Sequence, residues 1–111
     1  MNLKNLIKHP EIELLTSLGE TDILLNGCYV GDLLSWVMSH AKTNQLWLTV
    51  QSHPNVIAIS SLLELGAVII VEGATIPNET IQKAEQEKIA LLKTTLSAVD
   101  VIALYNELMN E

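Results

Sequence analysis

Residues 46–73 read LWLTVQSHPNVIAISSLLELGAVIIVEG, and this stretch decides the fold class. Two short apolar runs, Leu46–Val50 and Ala67–Val71, flank a segment that opens with the polar residues 52–55 and closes at Gly66. Such punctuation is typical of a buried helix between two strands. The stretch therefore predicts a βαβ unit with a polar loop at the carboxyl end of its first strand. Ligands usually bind at such loops in open α/β sheets, so the loop indicates where to look for a site.

The rest of the chain alternates short apolar runs with helical patterns. Outside this unit, strands are predicted at Ile12–Leu15, Ile23–Leu25 and Ala90–Leu92. A first helix is predicted from Leu3 to near Lys8 or His9, and a second at Leu33–Ala41 with Asp32 as its cap. Two later helices are predicted, one capped by Asn78 that runs through Lys88 and one at Ala98–Met109 opened by the capping pair Ser97 and Asp100. This alternation predicts an α/β fold: a single three-layer domain over residues 1–111, with a small, mostly parallel or mixed sheet flanked by helices.

Composition limits the classes of partner. The chain has 111 residues, 49% of them hydrophobic, which is enough to close one core. Acidic residues outnumber basic ones 13 to 6, and the resulting charge of −7 repels phosphate backbones and anionic lipid surfaces. No apolar run approaches the roughly 20 residues needed to span a bilayer. We therefore expect neither a nucleic acid nor a membrane as a partner.

The single cysteine, Cys28, bears on location and on chemistry. It cannot form an internal disulfide, and residues 1–13 lack the apolar core of a signal peptide, so a cytoplasmic location is expected. One cysteine cannot supply the four thiolates of a usual iron–sulfur cluster, and no cofactor is expected. Cys28 follows Asn26 and Gly27 in a predicted turn, where a reactive thiol is one reading and a buried structural cysteine the favoured one.

Polar residues follow predicted strands at four places, residues 26–29, 49–53, 72–74 and 93–95, and we expect them to share one rim of the sheet. Helices that start after Gly31, Ser52 and Ser97 would direct unpaired amides and positive dipole ends towards that rim. The rim is thus predicted to bind a small anionic or polar ligand. The predicted ligand-binding residues are Gly27, Tyr29, Thr49, Gln51, His53, Asn55, Gly73 and Thr94.

In the sharpest form of this hypothesis the ligand is a nucleotide. Tyr29 stacks the base, while the amides of Asn55 and Val56 and the ammonium of Lys93 contact the anion.

Capping is the alternative explanation for the same polar residues. Asp32, Ser52, Asn78 and Ser97 are all ordinary helix caps, and His53 is equally explained as a loop histidine that caps the next helix or packs beside it. No nucleophile, base and orienting group stand in a plausible constellation, and three scattered histidines predict no metal site. We therefore expect no catalytic residue and no metal.

The two tryptophans have different expected places. Trp47 lies on a predicted strand and is expected in the core. Trp36 stands among four apolar residues, Leu33, Leu34, Val37 and Met38, which give a short helix a wider apolar perimeter than one core face requires. This perimeter predicts a homo-oligomer, a dimer in the simplest case.

Three stretches, GCYVGDLLS at 27–35, WLTVQSHPNV at 47–56 and LLELG at 62–66, resemble the DRTGG-domain family, and the resemblance covers nearly the whole chain. The chain is similar to the free-standing form of that domain, to those fused to phosphotransacetylase-like and CBS-pyrophosphatase proteins, and to the amino-terminal domain of bacterial HPr kinase. The resemblance implies an α/β fold and a regulatory or unknown role. The signature itself is degraded, since residues 22–28 keep an acid and one glycine but lack the arginine, threonine and second glycine.

Free-standing members of this family are often encoded beside iron-only hydrogenases, which implies a redox partner. Two functional hypotheses follow. The first is a non-catalytic regulatory domain that senses a nucleotide or another small anion at the strand carboxyl ends. The alternative is a structural interaction module that forms a homodimer or docks to a redox, hydrogenase-associated partner.

Overall fold

Helices and strands alternate along most of the chain. The computed structural model describes residues 1–18 and 22–110, and in these residues the elements are α1 (Leu3–Leu6), β1 (Ile12–Leu14), β2 (Cys28–Val30), α2 (Leu34–His40), β3 (Leu46–Thr49), α3 (Asn55–Leu62), β4 (Ala67–Ile70), α4 (Asn78–Glu87), β5 (Leu91–Thr94) and α5 (Ala98–Met109). The predicted βαβ unit is confirmed as β3, α3 and β4.

The strands form one mixed sheet in the order β1-β5-β4-β3-β2. Neighbouring strands from β2 to β5 are parallel, whereas β1 pairs antiparallel with β5, Ile12 opposite Thr94. Strands β2 to β5 therefore lie side by side in chain order, each joined to the next by a helix. Strand β1 comes early in the chain but takes the place beside the last strand.

Helices cover both faces of the sheet, which confirms the predicted three-layer α/β fold. On one face, α1 and α5 bury Leu3 and Tyr105 against β3, β4 and β5; we call this the first core. On the other face α2, α3 and α4 form the second core, with Trp47 of β3 at 0% exposure. Alternate residues of a strand point to opposite faces, so a strand covered on both sides is apolar at nearly every position. That is why the runs at 46–50 and 67–71 are almost continuous, with Thr49 as the one polar residue.

The prediction of a strand at Ile23–Leu25 is wrong. These residues make backbone hydrogen bonds to the start of the chain, including Leu25 N to Met1 O at 2.7 Å, and one isolated bridge joins Asn2 and Leu24. The strand is instead Cys28–Val30, which the sequence places in a turn. The Ile23–Leu25 run is apolar because Leu25 is buried in the first core, not because it belongs to the sheet.

Two predicted caps are also wrong. Helix α2 has Leu33 at its cap position and α4 has Pro77, in each case without a side-chain hydrogen bond, so neither Asp32 nor Asn78 acts as a cap. Asn78 is the first residue of α4, preceded by a proline whose carbonyl accepts from the Thr80 amide at 3.0 Å.

The last helix starts as predicted, because Ser97 Oγ accepts from the Asp100 amide at 3.1 Å. The last strand is longer than the predicted Ala90–Leu92 and runs from Leu91 to Thr94.

Candidate functional site

The carboxyl ends of the parallel strands define the rim of the sheet. Strands β2 to β5 end at Val30, Thr49, Ile70 and Thr94, and the loops that follow lie at this rim. Because β1 runs antiparallel to β5, its beginning at Ile12 lies at the same rim. The structure therefore brings the residues before β1 together with the loops after β4 and β5.

Six of the eight predicted ligand-binding residues lie at this rim. Thr49, Gln51, His53 and Asn55 follow or end β3, Gly73 follows β4, and Thr94 ends β5. Gln51, His53, Asn55 and Gly73 are exposed, whereas Thr49 and Thr94 are buried.

The predicted placement of Gly27 and Tyr29 at the rim is wrong. Gly27 precedes β2 at the opposite end of the sheet, where its amide donates to Tyr105 Oη at 2.8 Å. Tyr29 lies in the middle of β2 opposite Trp47, half-buried against the second core. The placement is wrong because the sequence pattern predicts a strand at Ile23–Leu25 and a turn after it, whereas the strand is Cys28–Val30.

His53 satisfies the amides that were expected to hold an anion. Its Nδ1 accepts from the Asn55 amide at 3.1 Å, and its carbonyl accepts from the Val56 amide at 2.9 Å. Nδ1 is thus the ring nitrogen without a proton. The capping explanation for His53 is the one that the structure supports. The expected cap Ser52 plays a different part, since its carbonyl accepts from Thr80 Oγ1 at 2.6 Å.

Asp32 fixes the loop after β3, a role that sequence reasoning missed. Its Oδ1 accepts from Thr49 Oγ1 at 2.8 Å and from the Val50 amide at 2.9 Å. Thr49 Oγ1 in turn accepts from the Gln51 amide at 3.0 Å. The Asp32 carboxylate therefore ties the end of β2 to the end of β3 and, through Thr49, fixes the backbone of the exposed Gln51.

A groove of about 470 Å³ lies at the other half of the rim, over β1 and β5; we call it the β1–β5 groove. Its lining comprises Pro10, Glu11, Glu13, Leu15, Gly73, Ala74, Thr75, Ile76, Ile81, Lys93, Thr94 and Thr95. The β1–β5 pair supplies the floor of the groove, and the β4–α4 loop with Ile81 of α4 supplies a wall. Of the predicted residues, Gly73, Thr94 and Lys93 line it, and so does Thr95, which was expected at the rim but not as a ligand-binding residue. Glu11 and Glu13 were missed.

The charged groups of the groove pair across the two strands. Lys93 Nζ lies 3.7 Å from Glu13 Oε1, and both side chains are more than half exposed. Thr95 Oγ1 donates to Glu11 Oε2 at 3.3 Å. Two carboxylates and one ammonium make this floor rich in hydrogen-bond acceptors, so it suits amino and hydroxyl groups of a ligand. The Lys93 ammonium has three donors and a more than half exposed side chain, so it can contact an anion while it remains near Glu13.

The apolar wall of the groove is formed by Ile76 and Ile81, and Leu15, which follows β1, extends it. All three are partly buried against the second core. Ligand sites commonly combine apolar contact surface with a few convergent polar groups. The groove therefore fits a ligand that has a flat apolar part and several hydrogen-bond donors.

Within residues 1–18 and 22–110, no three His, Cys, Asp or Glu side chains converge as a metal site would need. Among the same residues, none of the helices has both the length and the apolar character for crossing a bilayer.

Cys28 lies on β2 with its side chain partly buried against the first core. Burial raises the pKa of the thiol from 9.0 to about 11, because the thiolate is poorly solvated there. The structure thus favours the structural reading of this cysteine.

We expect Cys28 to react with a disulfide reagent about tenfold more slowly in the native protein than in the unfolded chain at pH 8, because the lower thiolate fraction is partly offset by the higher nucleophilicity of a more basic thiolate. The thiolate is the nucleophile, so a higher pKa lowers its fraction, and the native rate should keep rising with pH towards 11. Stopped-flow labelling of native and guanidinium-unfolded protein measures both rates. Equal rates in the two states would show that the thiol is free and unperturbed.

No known family model matches the sequence, and no curated protein matches it. The fold is similar to a solved structure, the CBS and DRTGG domains of the regulatory region of Clostridium perfringens pyrophosphatase complexed with its activator, diadenosine tetraphosphate. The TM-score is 0.76 at 15% sequence identity, over 93% of this chain and 45% of that one. This chain therefore spans less than half the length of the chain it matches. The likeness shows the fold alone, and it supports a DRTGG-like fold.

Proposed function

We propose that this chain is a non-catalytic regulatory domain that senses a small ligand in the β1–β5 groove, and that the ligand is a nucleotide. The observation that carries the proposal is the shared fold: the similar structure belongs to the regulatory region of an enzyme and contains a nucleotide activator. In this proposal residues 1–111 act as one DRTGG-like domain. A cytoplasmic location and a hydrogenase-associated partner are expectations from the sequence and its family resemblance alone.

The chemistry of the groove supports a nucleotide better than a bare anion. A purine or pyrimidine ring would pack on the apolar wall of Leu15, Ile76 and Ile81, and its exocyclic amine or the ribose hydroxyls would donate to Glu11 and Glu13. The phosphates would then extend towards Lys93 at the open side. This arrangement replaces the anion site expected at Asn55 and Val56, whose amides are bonded to His53.

Thermal-shift titration with adenine and guanine mono-, di- and triphosphates and with diadenosine tetraphosphate tests the proposal. A ligand at ten times its Kd stabilises the folded state by about 1.4 kcal/mol, which raises the Tm of a domain of this size by about 6 °C. We expect one nucleotide class to give such a rise and inorganic phosphate to give none. No rise with any nucleotide would contradict the proposal.

Paired lysine variants locate the ligand. We expect Lys93→Gln to weaken binding about tenfold, as the loss of one charge-assisted contact does. Lys42→Gln makes the same change just before β3, at the opposite end of the sheet, and should leave binding unchanged. A nucleotide that binds Lys93→Gln normally but fails to bind His53→Ala lies at the β3 loop instead. Isothermal titration calorimetry measures the affinities.

A further inference from the structure

Strand β2 is an edge strand: among the described residues only β3 pairs with it. The Gly27 carbonyl accepts from the Leu46 amide at 2.9 Å, and the Gly31 amide donates to the Leu48 carbonyl at 3.2 Å. Since backbone groups of alternate residues point to opposite sides of a strand, the N–H and C=O groups of Cys28 and Val30 point away from the sheet. The strand thus presents an open row of donors and acceptors.

Apolar side chains flank this row. Val30 on the strand is 48% exposed, and Leu33 and Trp36 on the loop and helix that follow are 65% and 59% exposed. Cys28 packs against the first core and Tyr29 against the second, so Val30 faces the side of the first core, while Leu33 and Trp36 lie on the side of α2. Exposed apolar side chains therefore flank the edge strand on both faces of the sheet, and clustered exposed apolar surface is typical of an interaction site.

The helical period places Leu33 and Trp36 beside the edge strand. Val37 is fully buried in the second core, so it marks the side of α2 that faces the sheet. Leu34 and Met38 line a cleft against α3 on one flank of the helix. At 100° per residue, Leu33 and Trp36 fall on the other flank, away from α3, which is the side of the open strand.

The segment that carries Leu33 and Trp36 has no acidic residue, although the chain is strongly acidic. All 13 acidic residues lie outside residues 33–63. The preceding residue, Asp32, accepts hydrogen bonds from Thr49 and Val50, which holds its carboxylate towards β3. Two copies that each carry a charge of −7 repel one another, and a contact made by this segment adds no opposed carboxylates of its own to that repulsion.

We propose that a second copy of this chain binds here, with the two β2 strands paired antiparallel about a twofold axis. An axis normal to the sheet at Tyr29 places Cys28 of each copy opposite Val30 of the other, where the two residues exchange both N–H···O bonds. The same axis keeps both α2 helices on one face, so Leu33 and Trp36 meet their counterparts. The outward N–H and C=O groups are therefore self-complementary about this axis, as a twofold interface requires.

A matched pair of variants tests the interface. Val30→Lys puts a charge on the edge strand, a change that blocks edge pairing and is tolerated by the protomer because the side chain is exposed. Val99→Lys makes the same change on α5, at a valine that is 75% exposed. Sedimentation velocity from 1 to 200 µM measures the oligomeric state, and circular dichroism confirms that each variant is folded.

We expect a dimer for the wild type and for Val99→Lys, and at least a hundredfold weaker self-association for Val30→Lys. Val30→Pro removes the outward N–H without adding charge and should weaken the dimer as well. A wild type that is monomeric at 200 µM would overturn the proposal. So would a dimer that persists in both Val30 variants, or one that Val99→Lys weakens equally. The β1–β5 groove lies at the opposite edge of the sheet from β2, so the oligomeric state of these variants can be tested independently of nucleotide binding.

Discussion

Replacing Trp47 with alanine is expected to lower the free energy of unfolding by about 3–5 kcal/mol, the usual cost of truncating a large buried aromatic residue. Trp47 has no exposed surface and lies between β2 and β4 in the sheet, where it fills the second core. Its Nε1 also donates to the Gly31 carbonyl at 2.9 Å, and truncation leaves that buried acceptor without its partner. Urea denaturation followed by circular dichroism measures the loss.

Trp47→Phe keeps the prediction testable if the alanine variant does not fold. It retains most of the ring but loses the hydrogen bond, and we expect it to cost about 1–3 kcal/mol. The matched control is Trp36→Ala, which removes the same side chain from a site that is 59% exposed. At a concentration where the chain is monomeric, that change should cost less than about 1 kcal/mol. Similar losses at the two tryptophans would contradict the assignment of Trp47 to the core.

Replacing Gly66 with alanine is the second large expected effect, a loss of about 3 kcal/mol. A Cβ at this position would stand 2.7 Å from Leu25 Cδ2 and 2.8 Å from the Asn44 carbonyl oxygen. The Asn44 backbone cannot retreat easily, because its carbonyl accepts from the Asn26 amide and its own amide donates to the Glu64 carbonyl. The extra methyl group therefore separates the start of β4 from the turn before β3.

Gly31→Ala is the matched control for this change. A Cβ there would meet Tyr29 Cε1 at 3.2 Å, and this ring is only half-buried and can shift. We expect that variant to lose less than about 1 kcal/mol, since alanine also reduces the entropy of the unfolded chain. Thermal and urea unfolding of both variants give the comparison. Equal stability of the two variants would show that the Gly66 site has room for a side chain.

The elements that could be predicted from sequence are those that leave a pattern within a short stretch of the chain. The runs at 46–50 and 67–71 are apolar except at Thr49 because helices cover both faces of the sheet, and their short length and polar flanking residues distinguish them from a buried helix. Ser97 was predicted correctly as a cap because its hydrogen-bond partner, the Asp100 amide, lies only three residues away. An interaction between residues this close in sequence can be recognised from the sequence.

The errors come from residues whose partners are distant in sequence. Asp32 is a residue type that commonly caps helices, but its hydrogen-bond partners are Thr49 at the end of β3 and Val50 just after it. Cys28–Val30 is a strand only because β3 pairs with it, and three residues carry too little periodicity to show this. The β1–β5 groove was missed as a unit because Glu13 and Lys93 meet only through the antiparallel pairing of distant strands.

The pairing of β1 with β5 also bears on the order of folding. Strands β2 to β5 lie side by side in the order of synthesis, whereas β1 can pair only after residues 92–94 have been made. Contacts between distant residues carry a larger loop-closure cost, so we expect this pairing to form late. Thr16 depends on the same event, since its hydroxyl donates to the Ile89 carbonyl and accepts from the Leu91 amide. We therefore expect the floor of the groove to be completed last, and a ligand bound there would link the first strand of the chain to the last.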